Sequence, residues 1–148
     1  MAWQDANGTW TYCEVKLSEQ EFGKAPDDKR HLEKLANIYL PVLAPYCPHE
    51  LLQATQFFAN YQILRNLWLA ARDKTASVLF LYPAANSSLT KPLREVIEQL
   101  DPTLQERVHI AIVENVLSIL SSDSSITPRS SWYVEMLLEK YVPNKNIK

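Results

Sequence analysis

Two glycines in 148 residues leave this chain few places to turn sharply, and both stand where the sequence pattern changes. Gly8 follows Asn7, and Asn-Gly is the strongest two-residue hairpin signal, because both central positions of a type I′ turn need positive φ. Behind it, Thr9 to Leu17 is rich in aromatic and β-branched residues, as strands are. Trp3-Gln4-Asp5 reads as the end of the partner strand. Only a stub precedes the turn, shorter than a usual strand, so the hairpin reads as clipped at its start.

Gly23, with Pro26, punctuates a polar loop from Ser18 to Asp28. Lys29 to Leu43 has helical spacing (Leu32, Leu35, Ala36, Tyr39), with Pro41 ending or kinking the helix. Pro45 and Pro48 bracket a short connection. His49 to about Arg72 then reads as one long helix, apolar nearly all round and so buried on several sides. Ala76 to Tyr82 is a continuous apolar run stopped by Pro83, the pattern of a strand covered on both faces. An amphipathic helix from Ser88 to Leu100 ends at Asp101-Pro102, and a second buried strand runs from Arg107 to Val113. A short helix from Val116 to Leu120, a loop from Ser121 to Ser125 and a helix from Pro128 to Tyr141 complete the chain. Strands alternating with helices predict a single α/β domain over residues 1–148, with a layered sheet and right-handed crossovers between parallel strands.

Hydrophobic residues make up 47% and charged residues 22%, the balance of a globular protein. The longest apolar runs are broken by Gln, Asn, Arg or Pro, so no membrane-spanning helix is expected, and Met1 to Asp5 has neither the basic nor the apolar region of a signal peptide. With no such signal, Cys13 and Cys47 read as reduced thiols and the protein as cytoplasmic. A net charge of −2 gives no global basic field, so any nucleic-acid contact must rest on local cations.

Alternation along a strand puts Trp10, Tyr12, Glu14 and Lys16 on one side and Cys13, Val15 and Leu17 on the other. Residues two apart on a strand are separated by roughly 7 Å. A carboxylate and an ammonium at that spacing both reach one small volume without collapsing into a tight pair. Phosphodiester hydrolysis needs such a volume: a carboxylate supplies a hard oxygen ligand for Mg²⁺, and a lysine orients or deprotonates a water or stabilises charge on phosphate oxygens. An exposed Glu-x-Lys pair on a strand is otherwise only a solvated charge pair.

The segment Tyr12-Cys13-Glu14-Val15-Lys16-Leu17-Ser18-Glu19, followed by Phe22-Gly23, resembles the PD-(D/E)XK nuclease superfamily in its restriction-endonuclease-like bacterial branch. Tyr61-Gln62-Ile63-Leu64-Arg65-Asn66 resembles a Tyr-Gln-x-x-Arg-Asn helix of that branch, and Leu79 to Asn86 its next buried strand. The resemblance, covering Trp3 to Val113, implies a mixed sheet flanked by helices and hydrolysis of DNA with Mg²⁺ or Mn²⁺. It makes Glu14 the metal-binding acid, Lys16 the catalytic lysine and the main-chain carbonyl of Val15 a further metal ligand. The family's first acid lies at the start of the preceding strand. Here the only upstream acid is Asp5, beside the turn, where it reads as a turn former or as that ligand. The first acid and the helix before it are therefore expected to be missing, which leaves a truncated domain that is silent or completed by another chain.

Gln62, Arg65 and Asn66 lie on neighbouring turns of a helix. They either border the site and contact phosphate or tie helix to sheet. Cys47-Pro48-His49 lacks the further ligands of a zinc site and reads as a loop Cys and a helix-start His. His109 reads as a satisfied structural residue, Ser87-Ser88 as a helix cap, and Trp132-Tyr133 as packing of the last helix. Glu114-Asn115 ends a strand where α/β sheets bind ligands. The competing function is a non-catalytic assembly module on the same fold: an unpaired edge strand near Trp3 to Leu17 would pair with a second copy into a homodimer.

Overall fold

A computed structural model describes residues 1–141 apart from Ser124 and Ile126. Ser124 falls in the loop expected at Ser121 to Ser125, so that part of the reading lies outside the described residues. Among the described residues four strands form one sheet in the order β1(Ala2–Gln4), β2(Trp10–Val15), β3(Ser77–Tyr82), β4(Val108–Ile112). β1 is antiparallel to β2, and β2, β3 and β4 run parallel, with Tyr12 opposite Val78 and Val78 opposite Val108. This is a mixed sheet flanked by helices, the architecture that the resemblance implies.

The hairpin forms where Asn7-Gly8 predicts it, but with a different turn. Within the turn, positive φ occurs at Gly8 alone (82°), Gly8 N–H donates to the Asp5 carbonyl at 3.0 Å, and Asp5 N–H to the Thr9 carbonyl at 3.0 Å. These bonds close a three-residue loop, a type I turn followed by a left-handed glycine. The Asp5 carboxylate makes this turn the better one. It accepts the N–H groups of Asn7 (2.8 Å) and Thr9 (2.9 Å), satisfying donors that a two-residue turn would leave open.

Between β2 and β3 the chain forms α1(Lys29–Lys34), a π-helical turn over Leu35–Tyr39, α2(Leu40–Leu43), α3(Ala54–Ala59) and α4(Tyr61–Ala71). The expected helix from Lys29 to Leu43 is therefore continuous but widened. Pro41 lacks an N–H and its ring crowds the carbonyl four residues back, so the preceding turn opens and Leu40 N–H reaches the Leu35 carbonyl. The long helix expected from His49 to Arg72 is instead broken. His49 to Gln53 forms turns, and Asn60 (φ −109°, ψ 23°) separates α3 from α4. The Asn60 side chain bonds the Gln56 carbonyl at 3.0 Å, and the N–H of Gln62 leaves the helical ladder for the carbonyl of Gly23 at 3.0 Å.

α5(Ser87–Ile97) and α6(Pro102–Gln105) connect β3 to β4, followed by α7(Val113–Ser122) and α8(Pro128–Tyr141). α7 begins directly after β4, three residues ahead of the helix expected at Val116, and takes in Ser121 and Ser122. Both crossovers step the same way across the sheet, so right-handed connections put their helices on one face. The main core lies there: Val78, Phe80 and Tyr82 of β3 against Leu43, Phe57, Leu64, Leu67, Leu89 and Leu93. The other face carries a smaller cluster, Val113, Leu117 and Val134, packed on Leu81.

That lighter cover corrects three expectations. β3 is fully buried on one face and only half-buried at Ser77, Leu79 and Leu81 on the other. β4, an edge strand, is only partly buried: its His109 is exposed, and the His109 ring makes no hydrogen bond to any described residue. Trp132 and Tyr133 are 61% and 58% exposed, and Val134, Leu137 and Leu138 pack α8 instead. No described helix is long and apolar enough to cross a membrane.

Candidate functional site

Glu14 pairs with Phe80 in the sheet, so its side chain rises on the main-core side beneath α4. Gln62 and Asn66, one helical turn apart, meet it there. Gln62 Nε2 donates to Glu14 Oε1, and Asn66 Nδ2 donates to Glu14 Oε2 at 3.2 Å. Gln62 Oε1 accepts the Gly23 N–H at 2.6 Å, so both ends of this amide are committed and its orientation is set. A Cβ on Gly23 would stand 3.2 Å from Gln62 Oε1, and this close approach is what the second glycine allows. The Glu14 side chain, 21% exposed, is thus solvated by two amides from a helix distant in sequence.

Lys16 extends the same line of side chains. Its N–H donates to the Leu81 carbonyl at 2.9 Å, which continues the parallel ladder past Val15. The side chain is 8% exposed, with Nζ 3.8 Å from Glu14 Oε1, 3.9 Å from Glu19 Oε1 and 5.8 Å from the centre of the Phe22 ring. Both ion-pair distances exceed a hydrogen bond. Successive strand residues turn their backbone groups to opposite edges, so the Val15 carbonyl points to the β1 side. Pairing on that side ends with Met1 opposite Cys13, and no described strand covers the Val15 carbonyl.

The loop after β2 is pinned over Lys16. Glu19 Oε2 accepts the N–H groups of Leu17 (3.1 Å) and Ser18 (3.2 Å). Asn86 Nδ2 donates to the Glu19 carbonyl at 2.5 Å, and Ser88 Oγ to the Gln20 carbonyl at 2.7 Å. Backbone N–H groups of Glu19 and Ser18, and then the Lys16 charge, hold the Glu19 carboxyl below its ordinary range. Ser87-Ser88 is therefore no cap: Asn86 takes the N-cap position, and the Ser88 hydroxyl anchors the loop.

The chain matches the model of a family described as restriction endonuclease associating with ARP, over residues 1–142. It belongs to that restriction-endonuclease family. No curated protein and no solved structure matches it.

In this family member the residues singled out from sequence separate into two groups. Glu14, Lys16, Gln62 and Asn66 converge at the C-terminal end of β2, and the Val15 carbonyl lies between Glu14 and Lys16 in the chain, directed to the β1 side. Asp5 does not join them. It closes the turn at the other end of the hairpin, five residues along the strand from Glu14 in the register that pairs Ala2 with Tyr12, or about 16 Å. Arg65 is exposed and makes no hydrogen bond to Glu14. Glu114, in the first turn of α7, accepts the Ala84 N–H at 3.0 Å and lines a cleft of about 330 Å³ shared with Leu17, Gln20 and Asn86. Cys13 and Cys47 are both free and buried, Cys47 within the main core, and burial pushes the Cys13 thiol up and the Cys47 thiol to about 12. Sequence reading missed Glu19 and Asn86, because a polar loop gives no sign of which of its residues folds back onto the strand.

The donor set suits a hard divalent cation. Mg²⁺ keeps most of its water and takes one or two carboxylates from a protein. The Glu14 carboxylate and the outward Val15 carbonyl are oxygens of that kind.

Proposed function

We propose that this chain is a PD-(D/E)XK-type nuclease domain whose substrate is DNA. The observation that carries the reading is the convergence of Glu14 and Lys16, 3.8 Å apart, at the end of β2 in a member of a restriction-endonuclease family. Mg²⁺ or Mn²⁺ bound here would neutralise charge on the phosphate and lower the pKa of water. Glu14 and the Val15 carbonyl would hold the ion. Gln62 and Asn66 fix the Glu14 carboxylate, so it pays little reorganisation cost on binding. Lys16, fixed by its surroundings, orients the attacking water and stabilises the charge that grows on the phosphate oxygens as one P–O bond forms and the other breaks. Arg65, exposed on the helix that carries Gln62 and Asn66, would meet a neighbouring phosphate of a bound strand. Asp5 stays a turn former in this reading.

A DNA cleavage assay with Mg²⁺ or Mn²⁺ on wild type and Glu14→Ala tests this. Cleavage by wild type that Glu14→Ala loses supports it. Equal activity, or none in either, removes the enzymatic reading.

One observation favours the assembly reading instead. All three residues of β1 are exposed, the outer edge of β1 has no strand partner among the described residues, and Trp3 and Trp10 are 42% and 38% exposed on the hairpin. Such an edge pairs readily with a second copy, giving a homodimer. A monomer by light scattering at micromolar concentration counts against it.

A further inference from the structure

Lys16 is held in an uncommon state. Its side chain is 92% buried by the exposure of 8%, yet its ammonium makes no hydrogen bond with any described residue, and its two carboxylate neighbours stand off at 3.8 and 3.9 Å. A buried ammonium normally closes on a partner, because three unsatisfied N–H groups are costly. Here both partners are restrained elsewhere. Glu14 is held by Gln62 and Asn66, and Glu19 by the backbone of Leu17 and Ser18. Among the described residues no fully buried side-chain nitrogen or oxygen is left without a partner, so Nζ keeps a small opening to solvent. Two carboxylates against one ammonium leave the cluster a net charge of −1. A ligand that completes it must bring positive charge to the carboxylates and oxygen to the ammonium. A divalent cation with its water shell does both.

We propose that Glu19 is a second carboxylate of the cation site, supplied from the loop after β2. This rests on the nuclease reading for the role of Glu14, and adds to it a residue to which no comparison assigns a role. Glu19 suits the task in three ways. Its Oε1 stands 3.9 Å from the same Lys16 Nζ that lies 3.8 Å from Glu14, its Oε2 bonds fix its rotamer, and Asn86 and Ser88 clamp the backbone that carries it. Its side chain is half exposed, so a cation reaches it without the loop opening.

The test is Mn²⁺ binding measured by titration calorimetry on the full chain, with no nucleic acid present. Four proteins are compared: wild type, Glu14→Gln, Glu19→Gln, and Glu21→Gln as a control, since Glu21 only pairs with exposed Lys24. Glutamine keeps an oxygen for the Leu17 and Ser18 N–H groups, and thermal melting in EDTA establishes that each variant folds. The expected result is one Mn²⁺ bound by wild type, at least tenfold weaker binding in Glu19→Gln, a larger loss in Glu14→Gln and none in Glu21→Gln. Wild-type affinity in Glu19→Gln together with loss in Glu14→Gln overturns the role of Glu19 and leaves the nuclease reading standing. No binding by wild type, or equal binding in all four, overturns both.

Discussion

Gln62 donates to the Glu14 carboxylate with one end of its amide and accepts the Gly23 N–H with the other, so a single side chain joins β2, α4 and the loop between them. Replacing it by leucine keeps the volume and removes both bonds. Gln62→Leu should lose about 1–3 kcal/mol of unfolding free energy, because a partly buried carboxylate and a backbone N–H lose their partner together. Urea denaturation measures it. A loss below about 0.5 kcal/mol would show that water replaces the amide at both ends.

Acid stability should carry the mark of the carboxylates bound to backbone N–H groups. Glu19, Asp28, Asp73 and Asp101 are all held below their ordinary values, chiefly by backbone or Thr donors. A folded-state pKa lower than the unfolded one contributes stability that is full above the unfolded value and is lost as pH falls through the folded value. Melting temperature should thus be level from neutral pH to about 5 and fall below about 4, where unfolded carboxylates take up protons. Asp28→Asn, which removes the charge that caps α1 through His31 N–H, should flatten part of that fall. An unchanged acid limb would show that these bonds persist in the unfolded chain.

The parts of this molecule legible in the sequence are those set by local chemistry. Asn7-Gly8 marks the hairpin, Pro83 stops a six-residue apolar strand, and alternation puts Glu14 and Lys16 on one face. The parts that were not legible depend on distant partners. Apolar spacing runs unbroken through Phe58, Tyr61 and Leu64, while the break at Asn60 answers to the Gly23 carbonyl. Glu19 lies over Lys16 because Asn86, 67 residues further on, holds its carbonyl. The exposure of His109 and Trp132 follows from which elements fail to cover them, and periodicity within one element carries no such information.

The two cysteines should be silent in the native state. Burial raises both thiols, Cys47 to about 12, and the thiolate is the reactive form. A chromogenic disulfide reagent at pH 8 should react with neither cysteine over minutes and with both once the chain is unfolded in guanidinium. Fast reaction of one native thiol would mean that Cys13, on the lightly covered face of the sheet, opens to solvent.

Asp5 offers the sharpest contrast between a residue's type and its place. As an acid before a Glu-x-Lys strand it invites a ligand role, yet its carboxylate accepts the Asn7 and Thr9 N–H groups. Both bonds act on an exposed turn, so Asp5→Ala should destabilise the hairpin by about 1 kcal/mol, and Asp5→Asn, which keeps the acceptor oxygen, by less. Mn²⁺ titration separates the two roles, since a turn former leaves affinity intact in Asp5→Asn whereas a ligand loses it with the charge. A tenfold loss of affinity in a folded Asp5→Asn would bring the hairpin turn into the site and require the first strand to move relative to Glu14.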